Sequence, residues 1–446
     1  MSRGAMSASA DVGRPVLFVT GHLSADRVGA FAALHEREGI ELALFGGRIK
    51  HGPAGIGELA EGFEKRRPTR ARAHARGHPD LKDGTPQSTD LKDRTRQSNG
   101  DMPPTRRVRE LATGRLAASG RYRAVVVSTG GRVALGASWA GARRAGAPVF
   151  LWASLWAHPR SAVHALSYLA LRRLYRSADG VVTYGPHVSA YVRERGAKNV
   201  HEACQSVDNE FWSARLAGET GAASAARAQE EPWPADARVR FLFAGRRARE
   251  KGIDTLLGAW RASGLGEAGD GAAAGDAEAT EGDGEATEGG RGGACGLALV
   301  GVGADLAATR AASGVTFTEP VDRERMRELY ARADVLVVPS IATRTFREPW
   351  GLVVNEAMNR GLAVICSDAV GAAAGGLVRD GRNGLVVRAG DEDGLAGGLR
   401  ALAREEVLRK RLGAAGRRDV AAYSHEAWAE GFSRALATVG LSRGRW

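Results

Sequence analysis

The chain has 446 residues, which is enough for two domains of ordinary size, and it carries a formal net charge of +12. Hydrophobic residues make up 43% and charged residues 26%, a composition that excludes a wholly disordered, collagen-like or coiled-coil protein. The charge invites a polyanionic partner, but no basic face interleaved with stacking aromatics is present, so nucleic acid is not expected. Charged small molecules or an anionic membrane surface are better candidates.

The sequence predicts a cytoplasmic location. No apolar run approaches the roughly 20 residues that a membrane-spanning helix needs, and residues 16–19 are too short for a secretory signal. Cys204, Cys295 and Cys366 have no paired spacing for a disulfide framework or a zinc site. We therefore expect a reducing compartment and no metal site, with peripheral contact at the inner membrane face as an open alternative.

The first half of the chain alternates between continuous apolar runs and helical periodicity. The runs predict strands, and the periodic segments between them predict helices. The predicted strands are 16–19, 41–45, 124–128, 148–152 and 180–184, and the predicted helices are 28–34, 134–144 and 163–175. Continuous apolar strands separated by helices indicate a parallel sheet covered on both faces. The amphipathic segment 163–176 is interpreted as a sheet-covering helix in preference to a membrane-surface helix.

Three polar segments interrupt the alternation of predicted strands and helices. Residues 65–106 contain a near-repeat of ten polar residues and predict a disordered surface insert. Residues 263–295 form a second, low-complexity insert. Residues 211–237 are rich in Ala, Gly, Pro and charge, and are interpreted as an interdomain linker.

A second series of strands and helices begins at Val239. Its strands are predicted at 239–244, 297–301, 315–317, 335–338, 363–366 and 384–387, and its helices at 256–260, 325–331 and 352–358. We therefore predict an α/β protein with two Rossmann-like halves. The domains are assigned to residues 1–210 and 238–424, followed by a C-terminal helix within 425–446 whose return to the first domain is an open alternative.

Two groups of residues have the chemical character of a ligand-binding site. In the first, a strand ends at Gly245, and basic residues including Arg246 and Lys251 crowd a loop that opens a helix. Helix-end N–H groups and cations there would hold a phosphate, although the Walker glycine spacing and Lys-Ser/Thr pair are missing. A solvated basic helix start is an equally good interpretation of this stretch alone.

The second group is a pair of carboxylates beside a helix start. Pro349 biases Glu348 toward extended backbone, Gly351 allows a tight turn, and Glu356 lies one turn into the next helix. This pattern suits a ligand with phosphates at the helix end and hydroxyls beside it, such as a nucleotide sugar. The alternative is two exposed carboxylates near a favourable helix dipole.

Together these motifs resemble retaining glycosyltransferases of family 4. The features that match in order and spacing are segments 245–252, 333–340 and 380–384 and the E-x7-E pair Glu348 and Glu356. The resemblance covers residues 239–405 well and the first half more loosely. It implies a GT-B fold, in which two Rossmann-like domains with parallel sheets face an interdomain cleft and the second domain binds the nucleotide sugar.

The resemblance also implies roles for individual residues. Arg246 and Lys251 would hold the donor diphosphate, Glu348 would lie against the donor sugar, and Glu356 would bind the ribose hydroxyls. The other implied donor-binding positions are Gly245, Val321 in the base-contacting stretch 318–321, Gly351, and the amides of Leu352 and Val353. Fixed cations at a departing diphosphate stabilise the transition state more than the ground state. Neither a metal nor a cofactor is expected, and the implied outcome is retention of configuration.

Two histidines are weighed as further catalytic residues. In the family a histidine commonly follows the strand that corresponds to residues 148–152, and here the nearest one, His158, comes several residues late. It is proposed to polarise donor or acceptor, against the equal alternative of a loop histidine without a catalytic role. His22 is a weaker second candidate. The D-x-D match at Asp391 is interpreted as a helix cap and not as a metal motif.

The main hypothesis is a metal-independent retaining glycosyltransferase. It would move a sugar from a nucleotide donor to a glycan, lipid-linked or small-molecule acceptor, as in the synthesis of cell-envelope polysaccharide or glycoconjugates. The rival is a catalytically silent nucleotide- or glycan-binding protein on the same fold. A nucleic-acid-binding protein is a distant third.

Overall fold

A computed structural model of the chain describes residues 12–46, 101–160, 162–215, 231–267, 294–303, 306 and 312–444, and only the backbone of residues 25 and 162–166. Most of the insert predicted at 65–106 lies outside the described residues, as do residues 268–293 of the second predicted insert and residues 216–230 of the predicted linker. The statements below concern the described residues.

The first sheet follows the doubly wound strand order β3-β2-β1-β4-β5-β6-β7. Its strands are β1 Val16–Thr20, β2 Ile40–Leu44, β3 Thr105–Arg107, β4 Ala124–Ser128, β5 Val149–Ala153, β6 Gly180–Thr183 and β7 Val200–Glu202. The pairs from β3 to β5 are parallel, with Phe18 opposite Leu42 and Val126. Strands β1, β4 and β5 are buried almost throughout, which explains their continuous apolar runs.

The second sheet is wholly parallel, in the order β10-β9-β8-β11-β12-β13. Its strands are β8 Arg240–Ala244, β9 Gly296–Val300, β10 Val315–Thr318, β11 Val335–Val338, β12 Ala363–Ser367 and β13 Leu385–Val387. In both sheets the chain starts in the middle, builds outward to one side and then returns to the other. The predicted α/β class with two parallel sheets is therefore confirmed.

Helices separate the strands in both halves. Those of the first half are α1 Val28–Glu38, α2 Ala112–Ala117, α3 Arg132–Arg144, α4 Ala162–Ser177, α5 Pro186–Glu194 and α6 Asn209–Ser213. Those of the second half are α7 Ile253–Ser263, α8 Arg323–Arg332, α9 Leu352–Arg360, α10 Gly371–Ala374, α11 Glu392–Arg404, α12 Glu406–Val420 and α13 His425–Ala437. Asp391 caps α11 by accepting the Gly394 amide at 2.8 Å, so the interpretation of the D-x-D match as a cap is confirmed.

The chain divides into two compact units, one of Met1–Ala153, Ala178–Val182 and His425–Trp446, the other of Ser154–Ser177 and Thr183–Ser424. Residues 154–177 and 183–210 thus fall in the second unit, whereas the sequence analysis assigned them to the first domain. The reason is their contacts: Trp156 donates to the Glu348 carbonyl at 3.1 Å, and Asn355 donates to the Gln205 carbonyl at 3.1 Å.

Each unit has its own core. In the first, edge-to-face aromatic rings surround Phe18, which lies 4.9 Å from the Phe31 ring and 5.4 Å from the Trp152 ring. Trp428 and Phe432 of α13 complete this cluster. In the second unit, Phe241 packs against Trp260 at 5.5 Å inside a largely aliphatic core on one face of the second sheet.

The predicted insert and the predicted linker each overlap a regular element at one end. The insert predicted to end at residue 106 overlaps β3, a short exposed edge strand of Thr and Arg that carries no apolar signal. The predicted linker overlaps α6 at residues 211–213, and Asp208 caps this helix by accepting the Phe211 amide at 2.9 Å. Both elements form because of pairing and capping, which apolar periodicity does not report.

Candidate functional site

The candidate site lies in the second unit, where the strand order reverses between β8 and β11. In doubly wound sheets, ligands bind at the carboxyl ends of the strands at such a reversal. The loop after β8 contains Gly245 and Lys251, and the loop after β11 leads to Glu348. The fold therefore brings both predicted groups of residues to one edge of the sheet.

Backbone contacts hold the two loops together. The Ile341 amide donates to the Glu250 carbonyl at 2.9 Å. Gly252 has a φ of 69°, and a Cβ added to it would overlap the Pro339 carbonyl oxygen. Glycine is therefore required here both for the left-handed backbone and for the close approach of the two loops.

Lys251 and Glu348 form the central contact of the site. The Lys251 Nζ lies 2.5 Å from Glu348 Oε2, and the two side chains are only 20% and 10% exposed. A charge pair shielded in this way attracts more strongly than one in open solvent. A predicted diphosphate-binding cation and the predicted sugar-binding carboxylate are thus adjacent.

Arg246 lies on the exposed side of the same loop. Its guanidinium pairs with Glu250, four residues along the chain, and its side chain is 59% exposed. Gly245 is anchored at the end of β8, where its amide donates to the Val300 carbonyl at 3.0 Å. Arg246 is therefore a solvent-facing cation beside the more buried Lys251.

The segment after Glu348 forms a sharp helix start. Gly351 has a φ of 91° and immediately precedes α9, as the sequence analysis expected of a tight turn. Leu352 and Val353 are the first two residues of α9, and the first amides of a helix have no acceptor within the helix. Such amides, together with the helix dipole, favour an anion at this position.

Glu356 is buried within α9, with 7% of its surface exposed. Its Oε2 accepts the Tyr330 hydroxyl at 2.8 Å. Tyr330 is fully buried on α8, so the sequence presented it only as one member of an apolar helix face. The sequence did contain one clue to this contact: a tyrosine at an apolar position of the helix, whose hydroxyl needs a polar partner once it is buried.

The family resemblance implies that Glu356 binds a ribose, and on that expectation replacing Tyr330 by Phe should weaken nucleotide binding. The change removes one hydrogen bond to a charged group, worth about 1.5 to 3 kcal/mol, while keeping the ring and its packing. Isothermal titration with nucleoside diphosphates is expected to show an affinity reduced by about tenfold or more. Equal affinities of the variant and the wild type would show that Glu356 is not oriented by Tyr330.

The remaining predicted residues lie at other points. Val321 is half-buried in the segment between β10 and α8, next to the carboxyl end of β10. Just before it, the Thr318 carbonyl accepts the Gly301 and Gly303 amides, each at 3.2 Å. This stretch therefore follows a strand of the same sheet as the Lys251 loop.

The two candidate histidines have different surroundings. His158 Nδ1 lies 3.5 Å from the Tyr191 hydroxyl, and its ring packs edge to face against Tyr168 at 4.9 Å. These contacts place it among side chains of α4 and α5. His22 follows β1 in the first unit, and its pKa is lowered by desolvation and by the nearby Arg27 cation. Catalytic roles for either residue stay predictions.

Two residues that the sequence analysis did not single out contact the Glu348 loop. Trp156 Nε1 donates to the Glu348 carbonyl at 3.1 Å, and His187 Nε2 donates to the Pro349 carbonyl at 3.1 Å. Burial lowers the pKa of His187, with the Pro349 contact acting in the opposite sense. No local pattern marks either contact, since each spans more than 150 residues.

Within the described ranges, no helix is both long and apolar enough to cross a bilayer. The same ranges bring together no group of three His, Cys, Asp or Glu side chains that could hold a metal ion.

Residues 287–405 match the family model described as Glycosyl transferases group 1. The similar curated proteins include a phosphatidyl-myo-inositol mannosyltransferase of Mycobacterium leprae, 37% identical over 128 residues, and a D-inositol 3-phosphate glycosyltransferase of Nocardia farcinica, 34% identical over 140 residues. Each match covers 29% of this chain, and the chain spans 33% and 30% of these relatives. Residues 287–405 are thus similar to part of a glycosyltransferase domain.

Solved structures match over nearly the whole chain. HepE from Anabaena, in complex with UDP and glucose, superposes with a TM-score of 0.63 at 14% identity and covers 95% of this chain and 100% of that one. Sucrose-phosphate synthase from Thermosynechococcus elongatus gives 0.61 at 20% identity, covering 96% and 99%. These likenesses establish the GT-B fold of the chain.

Proposed function

We propose that this protein is a retaining glycosyltransferase that moves a sugar from a nucleotide-activated donor to an acceptor. The observation that carries the proposal is the shielded Lys251–Glu348 pair beside the start of α9, at the strand reversal of the second sheet. A cation, a helix N-terminus and a carboxylate at one point suit a diphosphate joined to a sugar. The match to a glycosyltransferase family model supports the same assignment.

The proposed chemistry places charge stabilisation at the leaving group. When the bond between sugar and diphosphate breaks, negative charge grows on the phosphate, and Lys251, Arg246 and the α9 amides would stabilise it. Glu348 would lie beside the sugar, where positive charge develops. For retention, the acceptor would attack from the leaving-group face, and the donor phosphate would help to remove its proton. Glu356 would hold the ribose.

The relatives suggest the classes of donor and acceptor. HepE was determined with UDP and with UDP-glucose, which supports a UDP-linked donor here. The curated relatives are named for phosphatidylinositol and inositol phosphate, which supports a small polyol phosphate or a lipid-linked acceptor in cell-envelope synthesis. A net charge of +12 would favour peripheral contact with an anionic membrane that carries such a lipid.

The proposal is tested first by thermal shift with a panel of nucleotide sugars. A true donor at about 100 times its dissociation constant should add about 2.7 kcal/mol of stability. The selected donor is then incubated without acceptor, and release of nucleoside diphosphate is measured, with the anomer of the product assigned by NMR. Donor binding without any turnover, with or without acceptors, would instead identify a silent binding protein.

Activity is expected to survive chelation. In this proposal, side-chain cations and a helix end stabilise the leaving diphosphate. They neutralise the negative charge that magnesium neutralises in other transferases. Initial rates should be equal with and without EDTA, and added magnesium should not raise them. Loss of turnover in EDTA with recovery in magnesium would contradict this leaving-group chemistry.

A further inference from the structure

Two side chains hold consecutive carbonyls of the Glu348 loop. Trp156 Nε1 donates to the Glu348 carbonyl, and His187 Nε2 donates to the Pro349 carbonyl, both at 3.1 Å. The Gly371 amide is a third donor, at 3.1 Å from the Glu348 carbonyl oxygen. Because Pro349 has no N–H group, the Glu348–Pro349 peptide unit can be anchored only through its carbonyl oxygen.

The His187 ring is wedged in one orientation. It packs edge to face on Trp156 at 5.1 Å and lies 6.0 Å from the Trp350 ring. A Cβ on Gly375 would lie 2.9 Å from His187 Nδ1, so little room is left for the ring to turn. Since Nε2 donates to a carbonyl, Nδ1 carries the lone pair of the neutral ring, and burial lowers the pKa of His187, which favours this neutral form.

Trp156 is equally constrained. The Arg347 guanidinium lies over its ring at 4.7 Å from the centroid, while the His187 ring meets it edge to face. Neighbouring backbone adds a contact, since the Arg160 amide donates to the Arg344 carbonyl. The segment around Trp156 therefore lies along the loop that carries Glu348.

We propose that Trp156 and His187 are positioning residues that fix the Glu348 backbone so that its carboxylate faces Lys251. The proposal rests on the proposed glycosyl transfer for its kinetic consequence. A carboxylate must be placed to within about 1 Å to act on a transition state. A loop anchored at two consecutive carbonyls by rigid aromatic side chains provides that precision.

Kinetics test the positioning role. His187→Phe keeps a ring but loses the donor, and should lower kcat by about 10- to 100-fold while weakening donor affinity less than Glu348→Gln does, because the carboxylate is displaced but still present. His187→Gln retains an N–H donor and should restore most of kcat. Trp156→Phe removes the other donor and should act in the same direction, which keeps the test open if one variant fails to fold.

A double-mutant cycle tests whether the effect passes through Glu348. In a Glu348→Gln background, His187→Phe should change kcat by less than about twofold, because the group that it positions is already disabled. A full additional loss there would overturn the proposal. The matched control is His35→Phe in the first unit, which removes a comparable bond from a histidine ring to the Ile40 carbonyl and should leave kcat unchanged.

Hydrogen exchange tests, without any substrate, whether Trp156 and His187 anchor the Glu348 loop. The Gly371 and Ala372 amides donate to the Glu348 and Trp350 carbonyls. Both amides should exchange about fivefold faster in His187→Phe and Trp156→Phe, and at the wild-type rate in His187→Gln and His35→Phe. If exchange accelerates as expected but no donor is turned over by the wild type, only the proposed function fails. Unchanged exchange in both Phe variants would show that Trp156 and His187 do not anchor the loop, and would refute the proposal.

Discussion

Replacing Lys251 by Ala is expected to lower turnover by about 100- to 1,000-fold, equivalent to about 2.7 to 4 kcal/mol. Lys251 is the shielded cation of the site, and it pairs with Glu348 at 2.5 Å. Its contact with a departing diphosphate would strengthen as charge develops, so the loss should fall on kcat. Steady-state kinetics with the donor selected by thermal shift measure the effect.

Three further variants resolve the roles at this site. Arg246→Ala should act in the same direction with a smaller loss, because that side chain is exposed and already paired with Glu250. Glu348→Gln should lower both kcat and donor affinity, because it would contact the sugar where charge develops. Glu356→Ala should mainly raise the donor KM, since ribose hydroxyls change little along the reaction.

The matched control for Lys251 is Lys410→Ala. Lys410 also pairs with a glutamate, Glu406, but on the exposed face of α12, where its side chain is 77% exposed. Its removal should leave both kinetic constants unchanged. If the Lys251 and Lys410 variants both fold and behave alike, the cluster around Glu348 is not the active site.

Replacing Arg123 by Met is expected to destabilise the protein by about 3 to 5 kcal/mol. Arg123 and Glu38 form a fully buried ion pair at 2.8 Å in the first unit. Burial lowers the pKa of Arg123 to about 10, with Glu38 acting in the opposite direction, so the guanidinium is charged at pH 7. Its removal would leave the Glu38 carboxylate buried without a countercharge.

The Arg123–Glu38 pair also binds residues 441–443. Arg123 Nε donates to the Leu441 carbonyl at 2.9 Å, while the Glu38 carboxylate accepts the Ser442 hydroxyl at 2.7 Å and the Arg443 amide at 2.9 Å. Loss of Arg123 should therefore also release residues 441–443. Urea unfolding measures the stability, and hydrogen exchange of the Arg443 amide measures the release.

Two controls isolate the buried charge. Arg121→Met removes an arginine two positions away that pairs with Glu41 at 3.3 Å while 51% exposed, and it should cost less than about 1 kcal/mol. Replacing Arg123 and Glu38 together by Met should recover part of the lost stability, because no unpaired charge is left, although the polar groups of residues 441–443 still lose their partners. A cost for Arg123→Met no greater than that for Arg121→Met would contradict the expectation.

Local chemistry was sufficient for much of the fold. Strands such as β1 and β11 could be predicted because a strand buried on both faces is apolar at every position. The start of α9 could be predicted because Pro349 and Gly351 restrict the backbone within three residues of one another. The cap at Asp391 is likewise a contact over three residues.

Contacts between distant residues were decided only by the tertiary structure. Lys251 meets Glu348 across 97 residues because β8 and β11 are neighbours in the sheet, and Tyr330 meets Glu356 because α8 and α9 pack together. Edge strand β3 and the bonds from Trp156 and His187 leave no periodic trace in the sequence. A pattern records the environment of each position, whereas the partner at that position depends on the path of the whole chain.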